Sequence, residues 1–313
     1  MLISAIVFLI GLLLLYYGAE SMVTGSSRLA LSFGVRPLVI GMTIVALATS
    51  MPEMMVTVMS LVRGSSDLAA GNIIGSNIAN IALILGAASL VSPLRVARRT
   101  LSREIPMMIG ASVLLFLFSL DGRLYFVDGL LLFSGLILFL TYCLRSAKEE
   151  GLERPLPEEV VQEEKNRRKK DLLFIVLGFF GLGIGAEMMV RSAVEIARFF
   201  GVTELIIGMS VMALGTSLPE LAASMVSIWR GEIELSVGNV IGSNIFNIMF
   251  VFGICPIFQK IMIEPETLRF QMPVMLLMSF LLLPLIRRRM SLGKSEGALL
   301  LSSYVVFIIS LYH

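Results

Sequence analysis

Residues 41 to 86 and residues 208 to 253 are two copies of one segment. GMTIVALATSMPEMMVTVMSLVRGSSDLAAGNIIGSNIANIALILG returns as GMSVMALGTSLPELAASMVSIWRGEIELSVGNVIGSNIFNIMFVFG with no gap, roughly half the positions identical and every matched pair 167 residues apart. The chain must therefore fold as two like halves. Each copy also holds one carboxylate, Glu53 or Glu220, inside an otherwise apolar run. An ionisable group at membrane depth is costly and marks a functional site by default. Duplicated halves with interrupted hydrophobic segments further suggest a binding site near the bilayer midplane.

The membrane setting follows from composition. At 57% hydrophobic and 15% charged residues, with a mean hydropathy of +0.90, the chain lacks the polar surface of a soluble globule, where about 25% of residues are charged. Apolar stretches able to cross about 30 Å of hydrocarbon run at about 2 to 19, 37 to 62, 72 to 93, 105 to 120, 124 to 144, 172 to 197, 205 to 229, 237 to 258, 270 to 286 and 295 to 312. The first lacks a basic start and continues into the repeat unit, so it reads as a retained span rather than a signal peptide. The expected fold is an all-α integral membrane protein of ten transmembrane helices. These form two five-helix repeats, 1–145 and 172–313, joined by a charged linker, 146–171.

Nineteen of the 25 Lys and Arg residues fall in the connections after spans 1, 3, 5, 7 and 9. The positive-inside rule then places these connections and the linker in the cytoplasm, and both termini outside, in the cell membrane. Five spans separate Glu53 from Glu220, so the second half threads the bilayer in the opposite sense and the repeats are inverted, with a pseudo-two-fold axis in the membrane plane. The linker is polar and reads as solvated chain. Its acidic run lacks the pattern of a calcium loop, and its basic end, Lys165 to Lys170, suits anionic lipid. Net charge of +2 gives no reason to expect nucleic acid, and no protein partner is evident. Cys143 and Cys255 read as small buried hydrophobes. The one histidine is His313, so internal chemistry is left to carboxylates, amides, hydroxyls and carbonyls, and no cofactor is expected.

Ala46, Thr49, Ser50 and Glu53 stand at i, i+3, i+4 and i+7, along one helix face. Pro52 lacks an N–H and crowds the carbonyl four residues back, which should break the helix and free carbonyls near Ala46 to Thr49. Unwound carbonyls at such a break suit a dehydrated cation. Ala213, Thr216, Ser217, Pro219 and Glu220 repeat the arrangement. The plainer reading is an S-x-x-E capping box in each copy, but a simple cap would place a carboxylate in mid-span. The second half of each copy, Gly71 to Asn80 and Gly238 to Asn247, opens with G-x-x-x-G, explained by close helix packing. That does not explain the i, i+4 pairs Ser76 with Asn80 and Ser243 with Asn247. Glu53, Glu220, Asn80 and Asn247 are expected to form a four-sided centre, flanked by Thr49, Ser50, Ser76, Thr216, Ser217 and Ser243. Hard oxygens without Cys or His suit Ca2+ or Na+. Two carboxylates balance one Ca2+ or two Na+, so competing ions must share them, and exchange is the expected mechanism.

The motifs A-L-x-T-S-x-P-E and G-N-x-x-G-S-N-x-x-N, present in both halves, resemble the alpha repeats of the sodium/calcium exchangers of the cation/calcium antiporter superfamily. The resemblance implies Ca2+ leaving against entering Na+, usually three for one, with helices 1 and 6 sliding across the core. It implies that Glu53 and Glu220 are shared by both ions, and that Thr49 and Thr216 add ligands. Ala213, Thr216 and Ser243 with Glu53 would build an outward Na+ site, and Ala46, Thr49 and Ser76 with Glu220 an inward one. Some relatives, including the potassium-dependent branch, carry Asp where this chain has Asn247, which lowers the charge here and counts against potassium co-transport. Gly18-Ala19-Glu20 matches Gly185-Ala186-Glu187 at the same spacing. The glycines fit a mobile helix packed closely on its neighbours, and the carboxylates either line the ion path or reach water at a helix end.

Proton-coupled calcium exchange is the alternative within the same architecture, and a passive cation channel would use the same oxygens. An intramembrane hydrolase would have to rest on the Glu pair alone, so the chain is not expected to be an enzyme.

Overall fold

The computed structural model describes residues 2–153, 158–201 and 213–311. α1 spans Leu2–Phe33, and the first repeat copy then forms two broken rods. One is α2 (Pro37–Ile40), a π-helical segment (Gly41–Val45), α3 (Ala46–Thr49) and α4 (Met51–Val62); the other is α5 (Ser66–Ile78), a π segment (Ala79–Ile84) and α6 (Leu85–Val91). β1 (Leu94–Arg95), a π segment (Thr100–Glu104), α7 (Ile105–Phe118), β2 (Arg123–Leu124) and α8 (Phe126–Glu153) complete the first half. The second half runs α9 (Glu158–Phe199), α10 (Ala213–Gly215), α11 (Leu218–Trp229), α12 (Ile233–Phe246), a π segment (Asn247–Val251), α13 (Phe252–Phe258) and β3 (Ile261–Met262). It ends with a π segment (Thr267–Gln271), α14 (Met272–Arg287), β4 (Ser291–Leu292) and α15 (Lys294–Ser310).

Among the described residues, eight helices are long and apolar enough to cross a membrane. The expected seventh span begins at 205 to 212, outside the described residues, as does His313. α15, in the place of the tenth, has 17 residues. The two rods that carry the G-S-N motifs, Ser66–Val91 and Ile233–Phe258, are the most enclosed, with 78% and 83% of their apolar windows buried, against 50% for Pro37–Val62, 22% for α1 and 28% for α8. Side chains such as Leu13, Leu138 and Phe180 are left facing outward, where lipid solvates them.

One expectation needs correction. The segment read as solvated linker is largely helix, because α8 continues to Glu153 and α9 begins at Glu158; residues 154 to 157 lie outside the described residues. Glu, Lys, Arg and Gln are good helix formers, and a span that is already helical removes the nucleation cost of extending it. Asp171, at the end of that segment, is fully buried, with Arg28 at 4.0 Å. The fold is an all-α membrane protein, with four two-residue strands at the connections among the described residues. β1 pairs antiparallel with β4 (Leu94↔Leu292, Arg95↔Ser291) and β2 with β3 (Arg123↔Met262, Leu124↔Ile261). Each pair joins one half to the other, satisfying backbone groups where the connections turn.

Glycine sets how closely α1 and α9 approach. A Cβ on Gly11 would lie 2.9 Å from the Gly185 carbonyl oxygen, one on Gly178 2.7 Å from that of Gly18, and one on Gly25 2.6 Å from that of Asp171. One number rises by seven as the other falls by seven, so the helices cross-pack antiparallel along a small-residue seam. Gly11 and Gly178, and likewise Gly18 and Gly185, are repeat counterparts, so the seam maps onto itself when the halves are exchanged.

Candidate functional site

The chain breaks where Pro52 requires it. α3 ends at Thr49, Ser50 is a turn residue with φ −80° and ψ −1°, and α4 starts at Met51 with Pro52 in its first turn. The second copy breaks at Ser217, with Pro219 in the first turn of α11. The capping reading fails, because neither Ser50 nor Ser217 makes a side-chain cap hydrogen bond. Glu53 and Glu220 are fully buried, and none of their four carboxyl oxygens has a hydrogen-bond partner among the described residues. Each carboxyl sits in the first turn of a helix, where the backbone dipole favours negative charge. They are also close enough to repel each other, and Ser76 lies beside Glu53 and Thr49 beside Glu220, without forming hydrogen bonds to them.

Most of the remaining expected residues are buried as well. The hydroxyls of Ser50, Ser217 and Ser76, both polar atoms of the Asn80 amide and the Asn247 Oδ1 are buried and without partners among the described residues. The helix widens to a π-turn at Ala79–Ile84, holding Asn80, and at Asn247–Val251; such local widening often accompanies a functional site. The halves interlock here. α4, which carries Glu53, packs on the π segment of Asn247, and α11, which carries Glu220, packs on that of Asn80. Among the described residues no three His, Cys, Asp or Glu side chains cluster to hold a metal ion. A cation here would draw its other ligands from hydroxyls, amides and carbonyls.

Asparagines neglected in the sequence reading hold the centre in shape, and they do so twice. Thr49 Oγ1 donates to Asn239 Oδ1 at 3.2 Å, and Thr216 Oγ1 to Asn72 Oδ1 at 3.3 Å. Asn72 Nδ2 donates to the Glu53 carbonyl (3.2 Å) and Thr57 Oγ1 (3.1 Å); Asn239 Nδ2 donates to the Glu220 carbonyl (3.5 Å) and Ser224 Oγ (3.1 Å). Each asparagine thus ties the carboxylate helix of its own half to the threonine of the other. The signal was available, since Thr57 and Ser224 are hydroxyl residues 167 positions apart. The symmetry is incomplete: Asn247 Nδ2 donates to Asn77 Oδ1 at 3.1 Å, while the Asn80 amide is unpartnered.

Two expected residues behave differently. The Ala46 carbonyl is not free, because it accepts from the Ser50 N–H at 3.0 Å and faces the Thr49 hydroxyl at 3.4 Å; the turn at Ser50 closes one last helical bond before Pro52 interrupts the ladder. Ser243 Oγ is spent on Thr49, at 3.2 Å. Ala213 opens α10, directly after residues outside the described set. G-x-x-x-G packing holds for the second copy, where a Cβ on Gly238 would meet the Leu38 oxygen at 2.4 Å and one on Gly242 the Ala46 Cβ at 2.6 Å. The counterpart neighbours of Gly71 and Gly75 fall at 205 to 213.

The chain is similar to known ion exchangers over nearly its whole length. The family model described as sodium/calcium exchanger protein matches residues 3–145 and 170–312, one stretch per half. The chain is 30% identical to the sodium/calcium exchanger MaX1 of Methanosarcina acetivorans, covering 99% of both chains. It is 35% identical to the inner membrane protein YrbG of Escherichia coli (strain K12), covering 100% of this chain and 98% of that one. A solved structure of the sodium-calcium exchanger NCX_Mj, soaked with zero Na+ and Ca2+, superposes with a TM-score of 0.87 at 32% identity, covering 99% of this chain and 100% of the other. With both halves matched and near-full coverage by these relatives, the chain belongs to the sodium/calcium exchanger family.

Proposed function

We propose that the chain is a secondary antiporter that exchanges Na+ for Ca2+ across the cell membrane by alternating access. The observation that carries this reading is the pair of fully buried carboxyls, Glu53 and Glu220, whose oxygens find no hydrogen bond among the described residues. Burying an unpaired carboxylate costs several kcal/mol, and a dehydrated Ca2+, which takes 6 to 8 oxygens at about 2.3 to 2.6 Å, offsets two of them at once. The ligands are Glu53 and Glu220 with Thr49, Thr216, Ser50, Ser217, Ser76, Asn80 and Asn247; Ser243 and carbonyls at the breaks near Ala46 and Ala213 join them where ion entry releases the hydrogen bonds that Ser243 and Ala46 now make. Na+ uses the same carboxylates, so the two ions exclude one another. Three Na+ against one Ca2+ would leave the loaded centre net positive and make transport electrogenic.

The fold in this reading is ten transmembrane helices in two inverted repeats, 1–145 and 172–313, with both termini outside and the 146–171 connection in the cytoplasm. Its support is the basic residues concentrated in alternate connections and the hydrogen-bond network that repeats when the halves are exchanged. The test is Ca2+ uptake into proteoliposomes loaded with Na+ and diluted into Na+-free buffer, beside a set driven only by a pH gradient. Uptake that needs the Na+ gradient supports the proposal. Uptake driven by protons alone would reassign the protein to proton-coupled exchange, and downhill flux indifferent to both gradients would make it a channel.

A further inference from the structure

The two faces of the molecule are not equivalent in this structure, and the difference lies in one pair of ion contacts. Glu20 of α1 accepts from Arg230, at the end of α11, at 3.2 Å, and the same Arg230 nitrogen reaches Thr24 Oγ1 at 2.5 Å. Ser27, one turn on, donates to Glu232 at 2.6 Å. These contacts clamp α1 onto the α11–α12 turn, and α1 packs along α11. Exchanging the halves turns Glu20 into Glu187 and Arg230 into Arg63. That second pair is open. Among the described residues, Glu187 is held by Arg191 of its own helix, Arg63 is exposed with no partner, and α9 makes no comparable contact with α4. A cavity of about 390 Å³ opens beside it, lined by Val7, Glu187 and Arg191 among others.

We infer that Glu20–Arg230 and Glu187–Arg63 are reciprocal latches, one closed in each access state, and that Arg191 holds Glu187 until Arg63 takes it. This rests on the alternating-access reading above and adds the residues that set its resting bias. In that orientation the closed latch seals the cytoplasmic face and the open one leaves the outer face accessible. The latches are unequal, because Arg191 stands where the other half has Thr24 and competes with Arg63 for Glu187. The outward-open state is therefore favoured when no ion is bound.

The test needs no transport. Val7 lines the open cavity, and Phe174 is its repeat counterpart. Val7→Cys and Phe174→Cys, each in a Cys143→Ala/Cys255→Ala background, are labelled in proteoliposomes with a membrane-impermeant maleimide from the matching face. Arg230→Gln should shift the ratio of Phe174→Cys to Val7→Cys labelling upward by about two- to fivefold, the range for a half-exposed ion pair. Arg63→Gln should shift it downward, and the swap Glu20→Arg/Arg230→Glu should restore the original ratio. An unchanged ratio in Arg230→Gln, or a shift in the same direction for Arg230→Gln and Arg63→Gln, would overturn the inference. Because labelling reads conformation rather than flux, a latch that works in a protein that fails Na+-driven uptake would refute the transport assignment alone.

Discussion

Gly18→Ala puts a single methyl group into the α1–α9 seam. The added Cβ would lie 2.6 Å from the Leu182 nitrogen and 2.8 Å from the Gly181 carbonyl carbon, both backbone atoms, where ordinary contact begins near 3.4 Å. No rotamer change relieves a clash with backbone, so the helices must part by about 0.6 to 0.8 Å along the seam, forfeiting dispersion contacts on either side. Overpacking of this kind costs about 1 to 3 kcal/mol. Replacing glycine by alanine inside a helix returns about 0.5 to 1 kcal/mol. The net loss is about 1 to 2 kcal/mol, a fall of a few degrees in Tm. Gly110→Ala is the control, because a Cβ there meets nothing within 4 Å among the described residues and keeps only the helical gain. Thermal unfolding of both purified variants in one detergent makes the comparison. If Gly18→Ala melts no lower than Gly110→Ala, close backbone approach is not what the glycines supply. Gly178→Ala probes the same contact from the other side, its Cβ lying 2.6 Å from the Met22 nitrogen, and the two substitutions together should cost less than their sum.

Removing either carboxylate should abolish Ca2+ movement. Ca2+ at 100 times its Kd should stabilise the parent protein by about 2.7 kcal/mol and neither Glu53→Gln nor Glu220→Gln, as read by Tm with and without Ca2+. Asn247→Asp adds a charge at the centre and should change the Na+ or K+ dependence of uptake more than the amount of folded protein; unchanged ion dependence would count against its place there. Ser224→Ala removes the hydroxyl that accepts from Asn239 and should cost about 1 kcal/mol and weaken uptake, whereas Ser134→Ala, whose hydroxyl turns to its own helix on the exposed side, should do neither. Between β3 and α14, the Asp67 carboxylate beside Glu264 raises the Glu264 pKa by repulsion. That repulsion is absent below the unfolded carboxylate pKa of about 4.3 and fully felt above the raised folded value. Glu264→Gln should therefore raise Tm at pH 7 and leave it unchanged near pH 3, as melts across that range would show.

The helical breaks and the residues at them were legible because Pro52 and Pro219 act on their own backbone, and a buried glutamate in an apolar run is conspicuous. The repeat spacing supplied each residue's counterpart. Other features depended on what lies across the interface. Asn72 and Asn239 look like any other amide in the motif until the opposite half brings Thr216 and Thr49 within hydrogen-bonding reach. The paired strands joining the halves are two residues long, too short to leave any periodicity. The helical extensions at either side of 154–157 are not legible from charge, which marks a polar linker without giving its conformation, although those charged residues extend a helix readily once a span has started it. Asp171 shows the same limit at one position, counted with the polar linker yet buried against α1.

Direct binding is the sharpest test of a shared site. Equilibrium 45Ca2+ binding to the purified protein, titrated with Na+, should show Ca2+ displaced competitively and lost in both Glu53→Gln and Glu220→Gln. Ca2+ retained in either variant, or bound Ca2+ indifferent to Na+, would contradict a single centre held by the two carboxylates and serving both ions.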